Sequence, residues 1–405
     1  MWNVPPNKMK AYYIFLKNNL SGVSFGFLLT LISSFGQTFL ISLYVPDITA
    51  SFSISNGYFG AIYSICTIIS SAILLSVGHM IDHLPVKKVT LYSLFGLSAS
   101  AILLGLSGNI VTLMIAIIGL RLTGQGLMSH ISLTVMSRSY THDRGKALSL
   151  SSTGYSAGEA ILPGIVAFLI IFLGWNLTSV IIGAAIIAVF IPLLLRFNLE
   201  LFDDYPQKSE NNKGISLMDY FNIMKGRAFW RIAPSTFFIG FSVTALFFYQ
   251  IVIAKINNWP MSLYAVCFTF YAISRLLFSL IGGKWVDKWG ASAIFSIYAF
   301  PIFGGILAIL IPGITGAFIF LVLTGVSVGL SGPVKSAIIA VEYGTSNLGA
   351  IRSLFTVIMV ISTALGPLYL GYMMDKAISM PILIISLAVP LGISAIIAAY
   401  NKQKS

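Results

Sequence analysis

Residues 78–88 read Gly-His-Met-Ile-Asp-His-Leu-Pro-Val-Lys-Lys, and residues 283–290 read Gly-Lys-Trp-Val-Asp-Lys-Trp-Gly. In each copy an aspartate follows the first glycine by four positions, and Asp82 and Asp287 are 205 positions apart. Other pairs recur at almost the same offset: Pro163 with Pro367, and His130 with Lys335. A repeat of this length predicts that the chain folds as two similar, parallel halves.

The composition excludes several broad classes of protein. Hydrophobic residues make up 57% of the 405-residue chain, charged residues only 9%, and the mean hydropathy is +0.92. Soluble domains carry about 25% charged residues. The chain is therefore neither a soluble enzyme nor intrinsically disordered. It has no basic arm, so we do not expect it to bind nucleic acid.

Long apolar runs predict membrane-spanning helices. A helix needs about 20 apolar residues to cross a bilayer. Twelve runs of this kind, named spans 1 to 12 below, lie at 21–45, 57–80, 89–108, 110–136, 147–172, 176–195, 233–254, 260–283, 291–311, 314–338, 351–374 and 380–400.

The basic residues predict the orientation of these spans. Most Lys and Arg residues lie at the two ends, in the central linker and in alternate loops, whereas the other loops hold only Lys255 and Lys376. Cytoplasmic loops are enriched in Lys and Arg. We expect both termini to be cytoplasmic, in a plasma membrane or a bacterial inner membrane.

The longest polar stretch, residues 196–229, divides the chain. Six spans precede it in residues 1–195, and six follow it in residues 230–405. Within the stretch, apolar residues recur at helical spacing between 217 and 224. This pattern predicts a short amphipathic helix that lies on the inner membrane surface.

The repeated loops resemble the loop signature of the major facilitator superfamily. On span 4, Arg121-Leu-Thr-Gly124-Gln-Gly126 resembles an Arg-and-Gly motif of the same superfamily. On span 5, Gly154 and Gly158 match glycines of a third motif that is common in antiporters. The residues that carry the loop signature are Gly78, Asp82, Lys87, Gly283, Asp287 and Gly290.

The resemblance implies an all-α polytopic membrane protein with twelve transmembrane helices in two pseudo-symmetric halves of six. It also implies a secondary transporter that works by alternating access and is not an enzyme. We expect no cofactor and no metal, and a chain that is monomeric in the lipid bilayer. No GxxxxGK[ST] phosphate-binding loop is present in the sequence, so nucleotide hydrolysis is not the expected energy source.

The segment from Gly124 to Trp175 looks like the monocarboxylate and oxalate–formate branches of the superfamily. This resemblance implies a small organic anion that moves together with protons. Two alternatives stay open. One is efflux of drugs or metallophores by proton antiport, and the other is a sensor or receptor that binds a ligand without transporting it.

The two loop aspartates are candidate gating residues. A carboxylate near a helix N-terminus is stabilised by the helix dipole, by about 0.3–1 kcal/mol when exposed. By resemblance to the superfamily, Asp82 would face the start of span 11 and Asp287 the start of span 5, and both contacts would hold the inner side closed. The alternative is a solvated turn.

Three ionisable residues are predicted to lie near the middle of the membrane: Arg121, Glu159 and Arg275. Such residues are costly in lipid and are candidates for function. Arg275 is the candidate for binding a substrate carboxylate, because the guanidinium group donates two parallel hydrogen bonds. Arg121 is a second substrate-binding candidate, and Glu159 is the candidate for proton coupling. The alternative is a static pair of Glu159 with either arginine.

Gln37 and Lys335 complete the set of substrate-binding candidates. Gln37 lies among polar residues in the middle of span 1, and Lys335 lies near the inner end of span 10. Inter-helix hydrogen bonding is the alternative for Gln37, and extension to the membrane surface is the alternative for Lys335. We expect Gly124, Gly126, Gly154 and Gly158 to serve close helix packing.

Overall fold

The computed structural model describes residues 13–140, 143–197, 199–202, 217–344 and 348–400 of the 405-residue chain. Within these ranges every regular element is helical, as the sequence predicts.

The α-helices follow the predicted spans in order. Those of spans 1 to 6 are Leu20–Ile32, Thr38–Ile41, Val45–Ser51, Asn56–Val77, Val86–Gly105, Ile110–Leu120, Ser129–Ser139, Arg144–Ala185 and Ile191–Leu195. Those of the linker and spans 7 to 12 are Leu217–Lys225, Arg227–Phe248, Gln250–Ile256, Met261–Trp289, Ala291–Ile297, Phe300–Ala308, Ile314–Tyr343, Leu348–Asp375 and Met380–Tyr400. Short 3₁₀ segments lie at Ser33–Gly36, Ser42–Tyr44, Gly78–Asp82 and Leu199–Phe202, and π-helical segments lie at Arg121–Met128 and Ile186–Phe190.

Ten helices of the described chain are long and apolar enough to cross a membrane. Span 1 adds an eleventh if its two parts, Leu20–Gly36 and Thr38–Ser51, count as one broken helix with a bend of 43°. The remaining difference from the twelve predicted spans lies in spans 5 and 6.

Predicted spans 5 and 6 form one apolar stretch, Gly145–Leu195, of 51 residues. At about 1.5 Å per residue this stretch is more than twice as long as the roughly 30 Å that one crossing needs. Its backbone is non-helical at Gly174, where φ is 76° and ψ is 161°. Such a positive φ favours glycine, which has no Cβ atom. We infer that the chain turns at Gly174 and crosses the membrane twice.

The chain groups into two compact units according to its internal contacts. Unit 1 contains residues 1–40 and 69–208, and unit 2 contains residues 41–68 and 209–405. The division at 208 falls within the predicted linker. The end of span 1 and the first part of span 2 belong to unit 2. The proposed halves at 1–195 and 230–405 remain a prediction.

Hydroxyl groups connect span 1 to spans 4 and 5 within unit 1. Ser132 Oγ on span 4 donates to the carbonyl of Gly26 at 2.8 Å, and Thr30 Oγ1 donates to the carbonyl of Ser151 on span 5 at 2.6 Å. Both bonds are buried. Because the interior of a membrane protein and the surrounding lipid are equally apolar, such bonds and close packing hold the helices together.

Two glycines set the packing of spans 8 and 10 within unit 2. A Cβ atom placed on Gly325 would lie 2.5 Å from the carbonyl oxygen of Tyr271, and one placed on Gly329 would lie 2.4 Å from that of Arg275. Backbones that approach this closely leave no room for a side chain. The spacing Gly-x-x-x-Gly places both glycines on one helix face, as in other closely packed membrane helices.

A buried arginine holds the end of unit 2 that contains the start of span 7. Arg231 is 3% exposed, and its Nη1 atom lies 2.6 Å from Glu342 Oε1 on span 10. The same guanidinium donates to Ser292 Oγ and, at 3.4 Å, to the carbonyl of Ala398. One side chain therefore connects helices of spans 7, 9, 10 and 12.

We expect Arg231→Ala to destabilise the protein by about 3 kcal/mol, because Glu342 would keep its charge without its partner. The double variant Arg231→Met with Glu342→Leu removes both charges and should recover most of that loss. Thermal unfolding of the purified protein in detergent measures both effects. A double variant that is as unstable as Arg231→Ala would contradict this account of the pair.

Candidate functional site

Span 1 is interrupted in its middle. The α-helix Leu20–Ile32 continues as the 3₁₀ segment Ser33–Gly36, and Gln37 then has extended backbone with φ −81° and ψ 150°. Helix resumes at Thr38. Gln37, a predicted substrate contact, thus lies at the break itself. Interrupted spans are a common way for transporters to expose backbone groups to a substrate or a coupling ion.

The break lies against the backbone of span 4. A Cβ atom on Gly36 would lie 2.1 Å from the carbonyl oxygen of Leu120 and 2.6 Å from the amide nitrogen of Gln125. A Cβ atom on Gly124 would lie 2.7 Å from the amide nitrogen of Gly36. The two glycines therefore let the broken part of span 1 touch span 4 directly.

Span 4 departs from α-helical geometry at the same level. Arg121 begins the π-helical segment Arg121–Met128. Its side chain is 5% exposed, and Nη1 donates to Thr38 Oγ1, just after the break in span 1, at 3.2 Å. π-Helical turns are rare and often occur at functional sites. The structure thus places the predicted arginine beside the predicted polar segment of span 1.

Span 5, which carries Glu159, also packs against span 1. Glu159 is 6% exposed and follows Gly158, on which a Cβ atom would lie 2.1 Å from Ser34 Oγ. One turn earlier, a Cβ atom on Gly154 would lie 2.2 Å from the carbonyl oxygen of Phe27. Both glycines of the predicted third motif are therefore packing positions of span 5 on span 1, and the buried Glu159 directly follows the second of them.

Two further polar atoms lie in this region of unit 1. Ser34 Oγ and Gln125 Oε1 are buried and have no hydrogen-bond partner in the described part of the chain. Sequence reasoning missed Gln125 and the π-helical turn that carries it. The available signal was a glutamine between Gly124 and Gly126 in an otherwise apolar span. Buried polar atoms without partners are unusual in proteins and deserve a functional explanation.

Unit 2 holds the other two predicted cations. Arg275 is half-buried on span 8, and its backbone contacts Gly329 on span 10. Lys335 is half-buried near the end of span 10 and makes no hydrogen bond or ion pair with the residues that the structure describes. His130 occupies the corresponding position in the other half of the repeat. Unlike Lys335 it has a partner, because its Nε2 atom lies 3.1 Å from the carbonyl oxygen of Gly78.

The two repeated loops have different local structures. Gly78–Asp82 is a 3₁₀ segment, whereas Gly283 and Asp287 lie within the helix Met261–Trp289. The residue after that helix is Gly290, whose φ of 83° favours glycine. Asp287 is exposed, as is Lys87.

The side chain of Asp82 lies outside the described part of the structure. The proposed contacts of Asp82 with span 11 and of Asp287 with span 5 stay predictions.

On span 4, Gly126 faces Leu74, whose Cδ2 atom would lie 3.1 Å from a Cβ atom at that position. It belongs with the packing glycines rather than with the gate.

The chain matches the Major Facilitator Superfamily over residues 26–254. It belongs to this superfamily. Its members are membrane transporters and not enzymes, so the chain is a multi-pass transporter with a small-molecule substrate. The resemblance to the monocarboxylate and oxalate–formate branches stays a prediction.

Known proteins agree with the superfamily and the fold. The chain is 26% identical over 361 residues to an uncharacterized MFS-type transporter, YcxA, of Bacillus subtilis (strain 168), with 84% of this chain and 86% of that protein covered. Crystal structures of a bacterial homologue of the human lysosomal transporter Spinster, in inward-facing conformations, share 16% identity and TM-scores of 0.70 and 0.71. Each of these matches covers 94% of this chain and 96% of the homologue's chain. The nucleoside transporter NupG shares 15% identity and a TM-score of 0.68, over 96% of this chain and 99% of its own.

A substitution at Gly36 tests whether the break depends on contact with span 4. Gly36→Ala would place a methyl group against the backbone of Leu120, so we expect a loss of about 1–3 kcal/mol in stability. Gly164→Ala on span 5 is the matched control, because a Cβ atom there meets nothing within 4 Å. Thermal unfolding in detergent distinguishes the two. Equal stability of both variants would show that the close contact is not required.

Proposed function

We propose that the protein is a secondary transporter that moves a small organic anion together with protons. The observation that carries this proposal is the hydrogen bond from the buried Arg121 to Thr38, just after the break at Gln37. Glu159 is buried on span 5, and the residue before it, Gly158, packs against Ser34 of span 1. Alternating access then exposes this region to the two sides of the membrane in turn.

Cations within the apolar segments of each unit support an anionic substrate. Arg121 is buried, and Arg275 and Lys335 are half-buried, in segments that are otherwise apolar. A charge inside the membrane costs at least about 2.5–3.5 kcal/mol unless it is paired or hydrated. The planar guanidinium groups of Arg121 and Arg275 can each donate two parallel hydrogen bonds to a substrate carboxylate. Gln37 would add a hydrogen bond to the same substrate.

Glu159 is the proposed proton-coupling residue. Burial disfavours a charged carboxylate, whereas a nearby cation favours it. If substrate binding draws an arginine away, Glu159 takes up a proton. If the arginine returns, the proton leaves. In this way the substrate site and the proton site share a cation, so that both are filled together and both are emptied together.

The orientation and the gate complete the proposal. The Lys and Arg residues of the loops and linker favour cytoplasmic termini in a plasma membrane or bacterial inner membrane. A monomer is expected because it is the usual state of this architecture. Asp82 and Asp287 would stabilise the closed inner side through helix N-termini. The halves would consist of residues 1–195 and 230–405, with residues 196–229 as linker.

Proton-coupled efflux is the second candidate. It is favoured by Gly154 and Gly158, the glycines of a motif common in antiporters, both of which pack directly against span 1. An efflux protein would move its substrate against the direction of proton flow. The direction of substrate movement under a fixed proton gradient therefore separates the two candidates.

Uptake into liposomes by the purified protein tests the substrate class and Arg275. With an acidic exterior and a panel of labelled short carboxylates, wild type should accumulate at least one of them. Arg275→Gln should lower its uptake at least tenfold, the effect of losing about 1.4 kcal/mol or more of charge-assisted hydrogen bonding.

Arg352→Gln is the matched control, because Arg352 is an exposed arginine in the same unit. It should transport like wild type. If folded wild-type protein accumulates no carboxylate, the organic-anion proposal fails. If Arg275→Gln transports like wild type, Arg275 is not a substrate contact.

Glu159→Gln tests proton coupling by itself. We expect this variant to lose uphill uptake under a proton gradient while it still exchanges internal for external substrate, because exchange needs no net proton movement. Asp143→Asn is the control, since its partly exposed carboxylate pairs with Lys146 at 2.6 Å outside the predicted spans. Full proton-driven uptake by Glu159→Gln would contradict the coupling role.

A further inference from the structure

The first turn of span 2 is bonded to the last residue of span 11. The amide of Gly57, at the start of the helix Asn56–Val77, donates to Asp375 Oδ2 at 2.8 Å. Asp375 is the final residue of the helix Leu348–Asp375 and is exposed. A carboxylate at this position accepts a hydrogen bond from an amide of the first turn, which has no partner within its own helix. The helix dipole also favours a negative charge there.

A tyrosine from span 7 holds the same turn. Tyr249 is fully buried, and its hydroxyl donates to the carbonyl of Asn56 at 2.6 Å. A Cβ atom on Gly371 of span 11 would lie 2.2 Å from that hydroxyl and 2.7 Å from the Asn56 carbonyl oxygen. Three segments of unit 2 therefore meet in contact at Asn56 and Gly57.

Deeper along span 2 the contact is of a different kind. The rings of Tyr63 and Phe248 lie 4.3 Å apart, and Ser64 Oγ donates to the carbonyl of Ala364 on span 11. A Cβ atom on Gly60 would lie 2.6 Å from the carbonyl oxygen of Pro367. These contacts are apolar or neutral, whereas the bond that Asp375 accepts at the exposed end of the interface is charge-assisted.

We propose that Asp375 is a positioning residue that, with Tyr249, forms a latch on the first turn of span 2. The latch sets how readily this turn separates from spans 7 and 11, and so how long this end of the protein stays closed. Its carboxylate is at the exposed end of the contact, where water competes for Gly57. Separation therefore begins with the loss of this bond.

The proposal does not depend on the identity of the substrate. Alternating access requires each end of a transporter to open once in a cycle. A bond that stabilises the closed end lowers the rate of opening without touching the substrate. Weakening it should change the maximal rate of transport while the substrate concentration at half-maximal rate stays the same.

Cys66 provides a reporter within the chain. It lies on span 2, two positions after Ser64 of this interface, and is fully buried. In a Cys267→Ala background, reaction of the purified protein in detergent with a maleimide measures how often the contact opens. We expect Asp375→Ala to increase the labelling rate roughly tenfold, because a hydrogen bond to a charged group is lost.

Two variants make the test specific. Asp375→Asn keeps an oxygen that accepts from Gly57, so its labelling rate should stay within about threefold of wild type. Lys376→Ala removes the neighbouring charge, which lies 5.6 Å from the ring of Tyr372, and should have no effect. Labelling of folded Asp375→Ala at the wild-type rate overturns the proposal. So does an equal increase in Lys376→Ala.

Discussion

A lipid bilayer offers the backbone no hydrogen-bond partners, so each spanning helix must satisfy its own amide and carbonyl groups. Span 1 departs from α-helical geometry at Gln37, although its amide still donates to Ser34 and its carbonyl accepts from Leu40. Span 4 departs from α-helical bonding over Arg121–Met128. Irregular backbone at this depth is tolerated where it is covered by protein or lines a polar cavity. Spans 4 and 5, which carry Arg121 and Glu159, both pack against the irregular segment of span 1 and cover it.

Glycines make this arrangement possible within unit 1. Gly36 and Gly124 bring the broken part of span 1 onto span 4, and Gly154 and Gly158 bring span 5 onto the same segment. Unit 2 uses the same means at Gly325 and Gly329 to fix Arg275 against span 10. Close packing of small residues replaces the hydrophobic effect, which does not drive helices together in lipid. The charged candidates are thereby held by backbone contacts rather than by flexible side chains.

The sequence predicts the spans well, because length and hydrophobicity act locally. The turn between spans 5 and 6, expected between 172 and 176, lies at Gly174. The pair Arg231–Glu342 and the bond from Gly57 to Asp375 could not be foreseen, since their partners are 111 and 318 positions apart and no periodicity records such contacts. For the same reason the sequence predicts buried charges but does not predict which helix each one faces.

If the break at Gln37 lines the path of an anionic substrate, a side chain introduced there is reached by that substrate and by small charged reagents. The most direct test is Gln37→Cys in a chain without its native cysteines, which are both buried. A small, charged thiol reagent should label this position, and a transported carboxylate should slow the labelling in a concentration-dependent way. A thiol at position 37 that does not react, or that reacts equally fast at every carboxylate concentration, would contradict the account.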